Sequence, residues 1–120
     1  MKQEDKDLLL KDICARLPYG VKVNNEIQGD FNVYGICENL IFGKTEVAHV
    51  DFNIEEVKLY LFPMSSMTEE QEREYLNTCN GYCEYYWTDE TFDWLNKNMF
   101  DYRGLIPKSL AFDATDKNIY

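Results

Sequence analysis

His49 is the chain's single histidine, and Asp51 stands two residues further on. In a strand that spacing puts both side chains on one face. A ring and a carboxylate so placed are two parts of a general-base arrangement, the base and the group that orients it. The third part, a nucleophile in a setting such as G-x-S-x-G, is missing. The pair therefore reads as a strand histidine with a hydrogen-bonding neighbour, and an enzyme built on it would need a pocket at this face. Cys79 and Cys83 are spaced C-x3-C, which on a continuous helix would bring two thiols together. Zinc takes four ligands, or three and a water, and only His49 and the distant Cys14 and Cys37 could complete the set. Asn80-Gly81 also interrupts the helix between the two thiols, and the spacing is not the C-x-x-C of a redox pair. Glu55-Glu56, Glu69-Glu70 and Asp89-Glu90 are adjacent carboxylates, whose side chains diverge. No run matches a calcium loop, a phosphate loop or a dinucleotide fingerprint. The expectation is no catalytic residue, no metal and no cofactor.

The remaining chemistry is charge. From Glu69 to Asp93 eight acidic residues face one cation, Arg73, so this stretch holds seven of the chain's ten net negative charges. It is also aromatic, with Tyr75, Tyr82, Tyr85, Tyr86, Trp87 and Phe92, so it should fold rather than remain an acidic tail. Aromatic residues beside carboxylates suit a protein-contact surface. A small domain also needs its large side chains inside, and both readings of the aromatic cluster stand at this point. The candidate partner-binding residues are Glu69, Glu70, Glu72, Glu74, Glu84, Tyr85, Tyr86 and Trp87. Such a surface fits a protein partner with a basic face. It does not fit direct contact with nucleic acid or an anionic membrane, where every phosphate needs a Lys or Arg. The reading is a non-enzymatic acidic protein-interaction module. The alternative is an acidic inhibitor that imitates nucleic acid and occupies a DNA- or RNA-binding enzyme.

These residues need elements to hold them. A chain of 120 residues reads as a single domain, 1–120, with one core. Asp5 to Leu17 has the period of an amphipathic helix, with Leu9, Leu10, Ile13, Cys14 and Leu17 on one face and Lys6, Asp7, Lys11 and Asp12 on the other. Pro18-Tyr19-Gly20 ends it. Residues 18–63 then read as four or five short strands joined by tight turns. Pro63 closes that region, and residues 64–120 read as mainly helical. Ser66–Glu69 and Thr68–Gln71 both match the helix capping box, which starts a helix at Glu69 running to Thr78, and Thr88 or Asp89 caps another over Glu90–Met99. Tyr82 to Trp87 reads as a short extended piece, Arg103 to Ala111 as a turn and one helical turn, and the last nine residues as loosely held. The fold class is α+β: an N-terminal helix, a small antiparallel sheet or SH3-like barrel, and C-terminal helices packed on it. The N-terminus has no apolar run long enough for a signal peptide, so the expected place is the cytosol, with the four cysteines as small buried hydrophobes.

Three segments carry a resemblance: LLLKDICARLPYGVKV (Leu8 to Val23), EEVKLYLFPMSSMTEEQEREY (Glu55 to Tyr75) and FDWLNKNMFDYRGLIPKSLAF (Phe92 to Phe112). Their order and spacing resemble a family of small uncharacterised proteins of gut Bacteroidales and their phages and mobile elements. The resemblance covers most of the chain and implies a cytosolic accessory protein of phage origin. It lends no catalytic residue. Members of the family often carry two histidines just before the FDYRGLI segment, and here Lys97, Asn98 and Met99 fill those places.

Overall fold

The computed structural model describes residues 1–79 and 87–120. The first helix, α1 (Gln3–Arg16), buries Leu9, Asp12, Ile13 and Arg16. That is an i, i+3, i+4, i+7 stripe, and half of it is charged. The sequence reading placed Asp12 on the solvent face and Cys14 on the apolar one; the structure reverses both, with Asp12 buried and Cys14 exposed. The reversal comes from Arg16, one turn beyond Asp12, which neutralises it inside the protein. Cys37 is exposed as well, and Cys79 is buried. A 3-10 turn at Leu17–Tyr19 ends α1, and Gly20 at φ +83° takes the left-handed conformation that lets the chain reverse.

Among the described residues six strands follow: β1 (Lys22–Asn25), β2 (Gly29–Cys37), β3 (Leu40–Lys44), β4 (His49–Asn53), β5 (Lys58–Leu61) and β6 (Ala111–Asp113). Their order in the sheet is β4-β3-β2-β1-β5-β6. All neighbours are antiparallel except β5 and β6, which run parallel. The sheet is mixed and open, with β4 and β6 at its edges, so the SH3-like barrel and the purely antiparallel sheet are both corrected. A segment read as a helical turn and loose tail supplies the second edge. One face of the sheet is covered by α1, and Leu9 and Ile13 share a core with Val21, Val23, Phe31, Val33, Ile41, Leu59 and Leu61. A sheet covered in this way buries its apolar face without closing on itself.

The other helices, α2 (Glu69–Thr78) and α3 (Asp89–Lys97), start at Thr68 and Thr88, each in a capping box, with Gln71 and Thr91 reaching back. The Thr88 and Thr91 hydroxyls both donate to the Thr78 carbonyl, at 3.0 and 2.9 Å, which ties the end of α2 to the start of α3. Behind them Tyr75, Cys79, Leu95 and Phe100 form a second core.

The last residues are held, not loose. Ala114 N–H donates to Leu61 O at 2.8 Å. Between β1 and β5 only Val23–Leu59 and Asn24–Lys58 are in register. The next step of the ladder, Lys22 against Tyr60, is filled by the Tyr120 hydroxyl. It accepts from Lys22 N–H at 2.9 Å and donates to Tyr60 O at 3.0 Å. The Lys22 ammonium holds the Ile119 carbonyl at 2.7 Å.

Candidate functional site: the charged faces

The acidic residues of α2 and α3 come to the surface because the inward positions are taken by Tyr75 and Thr78 on one helix and by Thr91, Leu95 and Asn96 on the other. Glu69, Glu70, Glu72 and Glu74 on α2 are exposed, as are Asp89, Glu90 and Asp93 on α3. The two helices pack against each other, so the seven carboxylates stand on neighbouring helices. Arg73 is exposed among them, and Lys97 is exposed at the far end of α3. Of the remaining candidates, Trp87 is half-buried. Its indole N–H donates to the Tyr75 hydroxyl at 2.8 Å, and its ring meets Tyr75, Phe92 and Tyr102 edge-on. It is packed as a wedge between α2, α3 and the segment after α3. Glu84, Tyr85 and Tyr86 lie outside the described residues, as do Tyr82 and Cys83.

His49 and Asp51 lie on one face of β4, as their spacing requires, and both are exposed. The Tyr34 ring stands edge-on to His49 at 5.7 Å. A cavity of about 350 Å³ opens elsewhere, lined by Asn25, Ile27, Glu55, Val57, Lys58 and Leu110 among others. A shallower groove runs past Gln28, Asp30, Lys44 and Val47. His49 and Asp51 line neither. Among the described residues no cluster of His, Cys, Asp and Glu is arranged to hold a metal ion, and no helix is long and apolar enough to cross a membrane.

The densest charge cluster is internal, and the sequence reading missed it. Asp12 and Arg16 are fully buried. The guanidinium grips the carboxylate through Nε at 2.8 Å and Nη2 at 3.1 Å. Nη2 also donates to Phe100 O at 2.7 Å, and Nη1 reaches Leu95 O at 3.5 Å. Arg103 adds a second ion pair to Asp12 at 2.8 Å, and the Tyr102 ring lies under both guanidinium groups. Next to it, the Asp101 carboxylate accepts from the N–H groups of Leu105 and Ile106, each at 2.8 Å. Gly104 at φ +76° turns the chain there. The FDYRGLI segment thus serves as a clamp: Asp101 shapes its own turn, and Tyr102 and Arg103 fasten α1 to it. The signal available in the sequence was the i, i+4 spacing of Asp12 and Arg16 on the same stripe as Leu9 and Ile13.

Tyr60, Tyr120, Glu55 and Asp113 are displaced from their ordinary values. Desolvation and the Asp30 carboxylate, 2.6 Å from its hydroxyl, push the Tyr60 phenol up to about 12. Desolvation between the strands pushes Tyr120 up to about 12. The Lys6 ammonium, paired with Glu55, holds that carboxyl below its usual value, and the hydrogen bonds from Thr115 do the same for Asp113. None of the four sits on α2 or α3. No family model, curated protein or solved structure matches the chain.

Proposed function

We propose that this is a non-enzymatic acidic protein-interaction module, acting in the cytosol and of phage or mobile-element origin, whose α2–α3 face docks on a basic surface of a partner protein. The observation that supports this reading is the exposure of all seven described carboxylates on two neighbouring helices, against two cations there, Arg73 and Lys97. Opposite charge at that density would speed encounter with a basic partner and exclude phosphate backbones and anionic lipid. The test is capture of partners from a Bacteroidales lysate at low salt by the native chain and by a Glu69→Lys, Glu70→Lys, Glu72→Lys, Glu74→Lys variant. Basic proteins retained by the first and lost from the second support the reading. Capture of nothing by the native chain refutes it. If the captured protein binds DNA and duplex DNA displaces the chain with a steep salt dependence, the module acts as a nucleic-acid mimic.

A further inference from the structure

We propose that β4 is a self-pairing edge, through which two copies of this chain join their sheets about a two-fold axis at Val50. The β3–β4 hairpin fixes which backbone groups are open. Thr45 N–H donates to Ala48 O at one end, and Ile54 N–H donates to Asn39 O at the other, both at 2.8 Å. In an antiparallel ladder bonded residues alternate with unbonded ones. Residues 48, 50, 52 and 54 therefore turn their backbone groups toward β3, and those of His49, Asp51 and Asn53 point away from the sheet. Asn53 N–H is taken by the Glu56 carboxylate at 3.0 Å. That leaves the N–H and C=O groups of His49 and Asp51, to which no bond from outside β4 is made among the described residues.

Edge strands are ordinarily blunted by charged side chains, Lys above all, or by Pro, a bulge or short length. β4 has five residues with no Lys, Pro or bulge, and its one acid, Asp51, is the charge that the pairing below uses. The sheet's bulge lies in β2, between Val33 and Gly35, and the opposite edge, β6, has only three residues. A second copy laid antiparallel along β4 with the axis at Val50 sets His49 against Asp51 of the second copy, and Asp51 against its His49. Each of those pairs exchanges two backbone hydrogen bonds, four in all. Both side chains project from the same face of the sheet, so each opposed pair is an imidazole against a carboxylate. Moving the axis to Asp51 would oppose two carboxylates, and moving it to His49 would oppose two imidazoles; like charges directly opposite destabilise a sheet. The Val50 register alone is complementary, and it also brings the two Val50 side chains together. The groups facing the His49 ring within its own copy are Lys44, directly opposite on β3, Tyr34 on β2 and Asp51 on β4.

Small edge contacts between acidic chains associate weakly, so the test is sedimentation velocity of the full chain from about 10 to 500 µM. It is run near pH 6, where an imidazole is charged, in about 0.15 M salt. The native chain should show a concentration-dependent dimer. His49→Asp, which opposes carboxylate to carboxylate twice, should raise its dissociation constant about tenfold or more. His49→Asp with Asp51→His restores both pairs in mirrored order and should recover to within about threefold of the native value. Asp51→Pro removes an outward N–H, a change an edge strand tolerates, and should abolish the dimer while leaving the circular dichroism unchanged. A native chain that stays monomeric throughout, or a dimer that His49→Asp leaves as tight, overturns the proposal. These variants leave α2 and α3 intact, so the outcome is independent of the partner-capture test.

Discussion

Replacing Asp12 by asparagine would remove one charge and almost no volume from the centre of the buried clamp. Arg16 has no exposed surface, and its two shortest bonds inside the clamp are the 2.8 Å one to Asp12 and the 2.7 Å one to Phe100 O. Arg103 would keep a route to water, since its side chain is 16% exposed; Arg16 would not. Leaving a buried guanidinium without its carboxylate costs about 3–5 kcal/mol. A domain of this length has a total stability of about 6–18 kcal/mol, so the variant should lose about a sixth of it or more and melt about 10–20 °C lower. Urea unfolding at unchanged m-value, with calorimetry, measures the loss. The companion variant replaces Asp12 by Leu and Arg16 by Met. The carbonyls that Arg16 leaves behind keep partners, because Phe100 N–H donates to Leu95 O and Tyr102 N–H to Phe100 O. An apolar replacement for a buried ion pair is often neutral or better, so the double variant should unfold within about 1 kcal/mol of the native chain. A single variant costing under about 1 kcal/mol, or a double as unstable as the single, would refute the view that charge neutralisation governs this site.

Tyr120→Phe keeps the ring against Phe62 and removes the hydroxyl from the gap between β1 and β5; it should cost about 1–2 kcal/mol and speed amide exchange at Lys22, and unchanged exchange there would contradict the bridge. Gly43→Ala drives a methyl into the Phe31 ring and to 2.8 Å from Asn32 O; overpacking of that kind costs about 1–3 kcal/mol in urea unfolding. In alkali, an unfolded tyrosine ionises near 10 while Tyr60 and Tyr120 hold their protons up to about 12 in the fold. The unfolded state then binds fewer protons, so stability is flat below about pH 10 and declines from there to about pH 12; Tyr60→Phe should make that decline shallower.

How much of this was legible depended on how local the cause was. The bounds of α2 follow from Thr68 and Gln71, three residues apart, and from Asn80-Gly81 beyond its end; both signals sit in one short window. The run of short strands follows from β-branched residues in the same way, but its turns do not: Gly29-Asp30 and Gly43-Lys44, which read as turns, pair inside β2 and β3, and the chain reverses at residues 26–28, 38–39 and 45–48 instead. β6 is three residues, Ala-Phe-Asp, with no alternation of its own, and it is a strand only because β5 lies beside it about fifty residues back in the chain. Asp12 was assigned to solvent because a carboxylate in a helix is usually exposed. Its second partner, Arg103, is 91 residues away. Closure of the sheet turned on whether its edges, β4 and β6, meet, and these are about sixty residues apart in the chain, a relation no window of sequence contains. For the acidic face, the helical assignment was enough to say which carboxylates point outward. It could not say that Trp87 would spend its indole N–H on Tyr75.

The distribution of charge separates folding from use. Among the described residues every buried acid is matched: Asp12 by two arginines, Asp101 by two backbone N–H groups. On α2 and α3 the acids exceed what the helices need. The macrodipole favours carboxylates in a first turn and fades beyond it, yet Glu74 and Asp93 lie past the first turns. Glu70 with Glu74, and Asp89 with Asp93, are like charges four residues apart, each pair costing about 0.2–0.5 kcal/mol; on α2 Glu69 with Arg73, and on α3 Asp93 with Lys97, offset them in that spacing. A surface selected for stability alone would place lysine at residue 74. Glu74→Lys should therefore stabilise the chain by about 0.5–1 kcal/mol and at the same time weaken capture of the basic partner, since it turns repulsion from Glu70 into attraction and removes a docking charge. A variant that gains stability and still captures its partner at full strength would mean that the excess carboxylates on α2 serve no contact.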